Sequence, residues 1–143
     1  DRVRLLGTVR CLDVALHDTL PGWIDETVQA ICRSGGGSAQ VHYRCIAPPV
    51  DNDLALTDLM ERCAVERLGA GCVVPVEQPS LGAEDFAELL RDVPGTMLRL
   101  GVAGSGGCAP LHHCRFQPDE RSLAVGVNVL AATLLAWMDE QKQ

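Results

Sequence analysis

Apolar and polar residues alternate from the first positions of the chain. Over 2–14, RVRLLGTVRCLDV, Val3, Leu5 and Val9 share one side, while Arg2, Arg4, Thr8 and Arg10 share the other. Alternation at period two predicts a half-buried strand with a polar outer face. The period then lengthens. Leu20, Ile24, Val28 and Ile31 are spaced to form one stripe of a helix, with Asp18 or Thr19 as cap and Pro21 in its first turn. Ser34-Gly35-Gly36-Gly37 stops that helix. Alternation returns over 39–47, where Val41, Tyr43 and Cys45 face one way and Gln40, His42 and Arg44 the other, as in a second strand.

Adjacent prolines forbid helix, and Asn and Asp favour turns, so Ala47-Pro48-Pro49-Val50-Asp51-Asn52-Asp53 predicts a domain junction. Beyond it, 54–68 reads as a helix ended by Gly69 and Gly71, and 72–76 as a short buried strand. Residues 84–93 suit a helix with Phe86, Leu89, Leu90 and Val93 on one face. Pro94-Gly95 ends it before a strand over 96–102. A glycine-rich loop opens at Gly104-Ser105-Gly106-Gly107, and 122–138 is apolar on nearly every side, which predicts a core helix. Alternating strands and helices give an α/β class with two pieces of structure.

Composition narrows the function classes. The chain has 143 residues, 47% of them hydrophobic and 22% charged, which fits one folded domain of ordinary size. Its net charge of −7 comes without any Lys/Arg cluster, and aromatics make up only 3%, so nucleic acid and anionic membrane surfaces are excluded as expected partners. The apolar run 123–138 contains Asn128 and would span only about 24 Å as a helix, short of a bilayer. Seven cysteines without a paired spacing suit reduced thiols and a cytoplasmic location. The strand-like pattern begins at Asp1, which suggests that an upstream segment has been removed.

Potential ligands are densest at Cys108-Ala109-Pro110-Leu111-His112-His113-Cys114. Imidazole and thiolate both suit zinc, but Cys-x3-His-His-Cys is not a zinc-finger spacing, and buried cysteines with histidines capping carbonyls would give the same pattern. Glu84-Asp85 pairs two carboxylates at a helix start, where the macrodipole alone stabilises them. Neither a P-loop nor a nucleophile elbow is present.

Four segments in order resemble the metal-dependent amidohydrolases and metallopeptidases that include hippurate hydrolase, N-acyl-amino-acid amidohydrolases and auxin-conjugate hydrolases. LLGTVRCLD at 5–13 is similar to that family's GTxR strand, and YRCIAPPVDND at 43–53 to the exit from its lid domain. GAEDFAELLRDVPGTMLRLGVAG at 82–104 resembles its SEDFA helix, VPG turn and LG strand. LHHCRFQPDERSLAVGVNVLAATLLAW at 111–137 resembles its closing LHHPxFxxDExxL segment and last helix.

The resemblance implies the C-terminal part of a two-domain metallohydrolase, α/β in class. Residues 1–50 would be the second half of an α+β lid that dimerises, and 51–143 the last portion of the catalytic domain. It implies hydrolysis of amide bonds in N-acyl amino acids or similar small amides by two divalent ions, zinc or manganese, with the general base upstream. His112 matches the closing metal ligand, and His113 its variable neighbour. Arg10 matches the lid arginine, which could meet a substrate carboxylate; a surface ion pair would explain it equally. The family's usual Pro and Ser are here Cys114 and Ala83. The alternative readings are a small zinc module built on Cys108, His112, His113 and Cys114, and a dimerisation fragment using the face from Arg2 to Arg10.

Overall fold

A computed structural model describes residues 2–142. Among them are the helices α1 (Val14–Ser34), α2 (Leu54–Leu68), α3 (Phe86–Leu89) and α4 (Arg121–Glu140), with a 3₁₀ turn, Ala70–Cys72, after α2. They fall into two units. One comprises Asp1–Asp51 and Val76–Val93, the other Asn52–Pro75 and Pro94–Gln143.

In the first unit α1 starts earlier than the spacing predicts. Asp13, in extended geometry, accepts the Leu16 N–H at 2.6 Å and so caps the helix, in place of Asp18 or Thr19. Pro21 consequently lies in the helix interior, where its missing N–H costs one backbone hydrogen bond. Leu20, Ile24 and Val28 are half-buried as expected. Ile31 is 65% exposed, because the ridge at four-residue spacing continues to Cys32. The glycine run ends the helix with Gly35 and Gly37 donating back to the Cys32 carbonyl.

The segment after α1 doubles back along it. Gln29 Nε2 donates to the Ala39 carbonyl at 3.0 Å, and Cys45 Sγ lies 3.2 Å from His17 Nε2. Twelve helical residues at about 1.5 Å each, and six extended residues at about 3.3 Å, both span roughly 18–20 Å. The stretch from Ala39 to Cys45 must therefore run nearly fully extended and antiparallel to α1. In the same unit α3 is a single turn, whereas a helix over 84–93 was expected. Asp85 at its N-cap makes no side-chain capping bond, and Leu89 and Val93 are 60% and 57% exposed. The residue before the Glu-Asp pair is Ala83, which has no hydroxyl to cap with.

In the second unit α2 has the bounds its pattern predicts. Asp53 caps it by accepting the Leu56 N–H at 2.9 Å, and Gly69, at φ +88°, ends it. The unit's small core lies between α2 and α4, where Leu59, Cys63 and Ala132 cluster and Ala136 packs against them. The buried Thr133 hydroxyl donates to the Val129 carbonyl within α4, so it carries no unmet hydrogen bond. Gly126 lets the helix approach Leu100 closely; a Cβ there would lie 3.0 Å from Leu100 Cδ2.

Two expectations are corrected. The described residues contain no β-strand, only an isolated bridge between Gly104 and Gly107, so their regular structure is helical where an α/β class was predicted. Segments 2–12, 39–47, 72–76 and 96–102 carry strand-like patterns but no ladder. Alternation selects a face to bury, whereas a strand also needs a neighbour for its N–H and C=O groups. Leu5 stays 89% exposed and Val74 77%. Secondly, α4 is not buried all round: Ser122, Val129, Ala132 and Thr133 are buried, while Leu123, Val127, Leu130 and Leu135 are exposed. By length and composition alone the 20-residue α4 is also long and apolar enough to cross a bilayer, unlike the shorter run 123–138 from which a span was ruled out.

Candidate functional site

The loop carrying the two adjacent histidines belongs to the second unit, and both of its ends are fixed. At its base the Asp119 N–H donates to the Val102 carbonyl at 2.8 Å. The Asp119 carboxylate accepts from the Arg121 backbone N–H and from its guanidinium, both at 3.0 Å, at the start of α4. These bonds hold the Asp119 carboxyl below the ordinary carboxylate value, the Arg121 side chain contributing most. The same pairing raises Arg121. Gly104 passes directly beneath. A Cβ on it would sit 2.9 Å from Asp119 Oδ2, so a larger residue there would have to displace the carboxylate from its place against Arg121. Gly107, at φ +79°, then reverses the chain by donating to the Gly104 carbonyl at 2.9 Å.

An open cleft of about 340 Å³ lies along this loop, with Cys108, Arg115, Gln117 and Asp119 among its lining. Cys108 Sγ donates to the Gln117 carbonyl at 3.1 Å, and His113 Nδ1 accepts the Arg115 N–H at 3.1 Å. Both side chains are thereby engaged in holding the loop. His112 differs. It is exposed, its imidazole makes no hydrogen bond among the described residues, and its φ of +67° is the only positive value there outside glycine. A left-handed histidine costs conformational energy and persists where its surroundings impose it, often at a functional position.

That imidazole suits one donor position of a metal site, since a ring nitrogen must be free of other bonds to ligate. It is one donor and no more. Among the described residues no three His, Cys, Asp or Glu side chains gather closely enough to hold an ion, so Cys108, His112, His113 and Cys114 do not assemble as a zinc module. Glu84 Oε1 accepts the Phe86 N–H at 3.3 Å, which assigns it to the start of α3. In the first unit, exposed Arg10 donates one guanidinium N–H to the Leu81 carbonyl at 2.6 Å, and its other donors have no hydrogen-bond partner among the described residues. The pairing of His17 with Cys45 was not legible in the sequence, because the two lie 28 residues apart in no motif.

Comparison with known proteins agrees with the resemblance. The model of peptidase family M20/M25/M40 matches residues 7–136. A probable hydrolase of Synechocystis sp. is 42% identical over 92% of this chain and 34% of its own length. A putative amidohydrolase of Bacillus subtilis is 31% identical over 96% of the chain and 35% of its own length. An N-acetyldiaminopimelate deacetylase of Anoxybacillus flavithermus is 28% identical over 99% of the chain and 36% of its own length. The chain thus spans about a third of the length of the curated relatives it matches. No solved structure matches. A family match over most of the chain, with Arg10 and His112 both inside it, shows that this chain belongs to peptidase family M20/M25/M40.

Proposed function

We infer that the chain is the C-terminal portion of a metal-dependent hydrolase that cleaves amide bonds of N-acyl amino acids or similar small amides. The observation that carries this reading is the family match over 7–136, which includes the GTVR and LHH motifs together. The relatives, an amidohydrolase and a deacetylase among them, point to amide hydrolysis. Residues 1–50 would serve as the second half of a lid through which the protein forms a homodimer, and 51–143 as the end of the catalytic domain. The unladdered segments and exposed leucines are consistent with surfaces that pair with the remainder of such an enzyme.

When bound, a pair of divalent ions, zinc or manganese, supplies Lewis-acid polarisation of the amide carbonyl and activation of water. This chain's own part is to present and to orient. His112, held by a loop closed at Val102 and Asp119, presents an uncommitted imidazole as a ligand to one ion. Arg10, with donors to spare beyond the Leu81 carbonyl, offers a fork that a substrate carboxylate can accept bidentately. The acid and base work belongs to side chains outside this segment.

The test is His112→Ala in the full-length protein, with bound zinc and manganese measured by elemental analysis and turnover measured on a panel of N-acyl amino acids. Loss of an ion, with hydrolysis reduced at least about a hundredfold, is the expected result for a lost metal ligand. Unchanged metal content and unchanged turnover would overturn the assignment.

A further inference from the structure

Helix α1 and the segment that returns along it bring three chemically distinct side chains into line. Cys45 Sγ lies 3.2 Å from His17 Nε2, and the other ring nitrogen, Nδ1, lies 3.2 Å from Asp18 Oδ1. The His17 side chain is only 13% exposed, whereas Cys45 is exposed. The base is shielded and the sulfur reachable. Asp18 accepts at Nδ1 and so favours the tautomer that carries its proton there, which leaves Nε2 free to accept from the thiol. This is the order nucleophile, base, orienting carboxylate. His17, Asp18 and Cys45 all belong to the first unit, and the proposal does not depend on the hydrolase reading.

We propose that Cys45 is a site of thiol–disulfide exchange with low-molecular-weight disulfides, with His17 as the proton acceptor and Asp18 as its positioning residue. As the Cys45 sulfur attacks, its proton passes to His17 Nε2. A bond forms between Cys45 Sγ and the nearer sulfur of the small disulfide, and the original S–S bond breaks with its electron pair on the departing sulfur. That thiolate takes the proton from His17 and leaves as a thiol. One disulfide is consumed and one mixed disulfide is made, so electrons balance with the small disulfide as oxidant.

The chain carries its own controls. Cys72 and Cys114 are also exposed, and neither thiol makes a hydrogen bond among the described residues. Hydroxyethyl disulfide, an uncharged probe, is added to the protein at neutral pH, and mixed-disulfide formation at each cysteine is followed by peptide mass mapping. Cys45 should react about tenfold or more faster than Cys72 and Cys114, a conservative share of what a positioned base contributes. His17→Ala should bring Cys45 to within about twofold of them, and added imidazole should restore part of the difference at Cys45 alone. Asp18→Ala should give an intermediate rate. Equal rates at the three cysteines of the unaltered protein would overturn the proposal without any variant. So would an undiminished Cys45 rate in a His17→Ala protein whose helical circular dichroism is unchanged.

Discussion

Asn52, at the turn from the proline pair into α2, acts through its side chain as a short piece of strand edge. Its Oδ1 accepts the Met97 N–H at 3.1 Å and its Nδ2 donates to the Met97 carbonyl at 3.3 Å, while the neighbouring Asp53 N–H donates to the Gly95 carbonyl at 2.8 Å. Asn52→Ala removes two of these three bonds and leaves both polar groups of a half-buried Met97 without their partner. At about 1 kcal/mol net for each bond, the loss should be about 2 kcal/mol. Asn52→Asp is the sharper variant. It is nearly the same shape and keeps the acceptor for the Met97 N–H, but it turns an oxygen toward the Met97 carbonyl where a donor had been, so it should cost at least as much as alanine. Urea unfolding followed by circular dichroism measures the total, and hydrogen exchange at the Met97 amide measures the local part, which should lose protection by about 30-fold for 2 kcal/mol. An Asn52→Asp protein as stable as the original, or a Met97 amide that exchanges equally fast in all three proteins, would refute the reasoning.

Two further outcomes follow from the second unit. Arg121 holds the folded Asp119 carboxyl below its ordinary value of 3.8, so the stabilisation it contributes is present above that pH and is lost as pH falls through the lower folded value. Asp119→Asn should therefore flatten the acid limb of stability against pH below about pH 4, and an unchanged limb in denaturant titrations would exclude the linkage. Leu59, 4% exposed, sits among Cys63, Ala132 and Ala136, whose short side chains cannot swing into a vacated space. Leu59→Ala should consequently cost about 3 kcal/mol, from about 2.4 for three lost carbons plus a cavity term. A loss below about 1 kcal/mol in urea unfolding would show that α2 and α4 close the gap.

Helices were legible where local chemistry marks both ends. Asp53 before and Gly69 after α2 define it within the chain itself, since a cap bonds within three residues and a left-handed glycine acts at its own position. The start of α1 was misplaced because Asp13 ends a stretch that also alternates like a strand, and the two patterns compete for the same residues. For the candidate site, the sequence supplied His112 and Arg10 only through resemblance to a family. Spacing alone did not separate His112 from His113, and the left-handed backbone and uncommitted ring that distinguish His112 are properties of the closed loop.

What the sequence determined by itself is therefore local or inherited: family membership, the capped extent of α2, the glycine stops, and which residues share a face if a strand forms. Tertiary structure alone decided whether the alternating segments find ladders, which face of α4 is covered, and that His17 meets Cys45 across 28 residues. The physical reason is range. Caps and turns close hydrogen bonds within a few residues, whereas strand pairing, core packing and a base beside a thiol require partners that only the path of the whole chain can bring together.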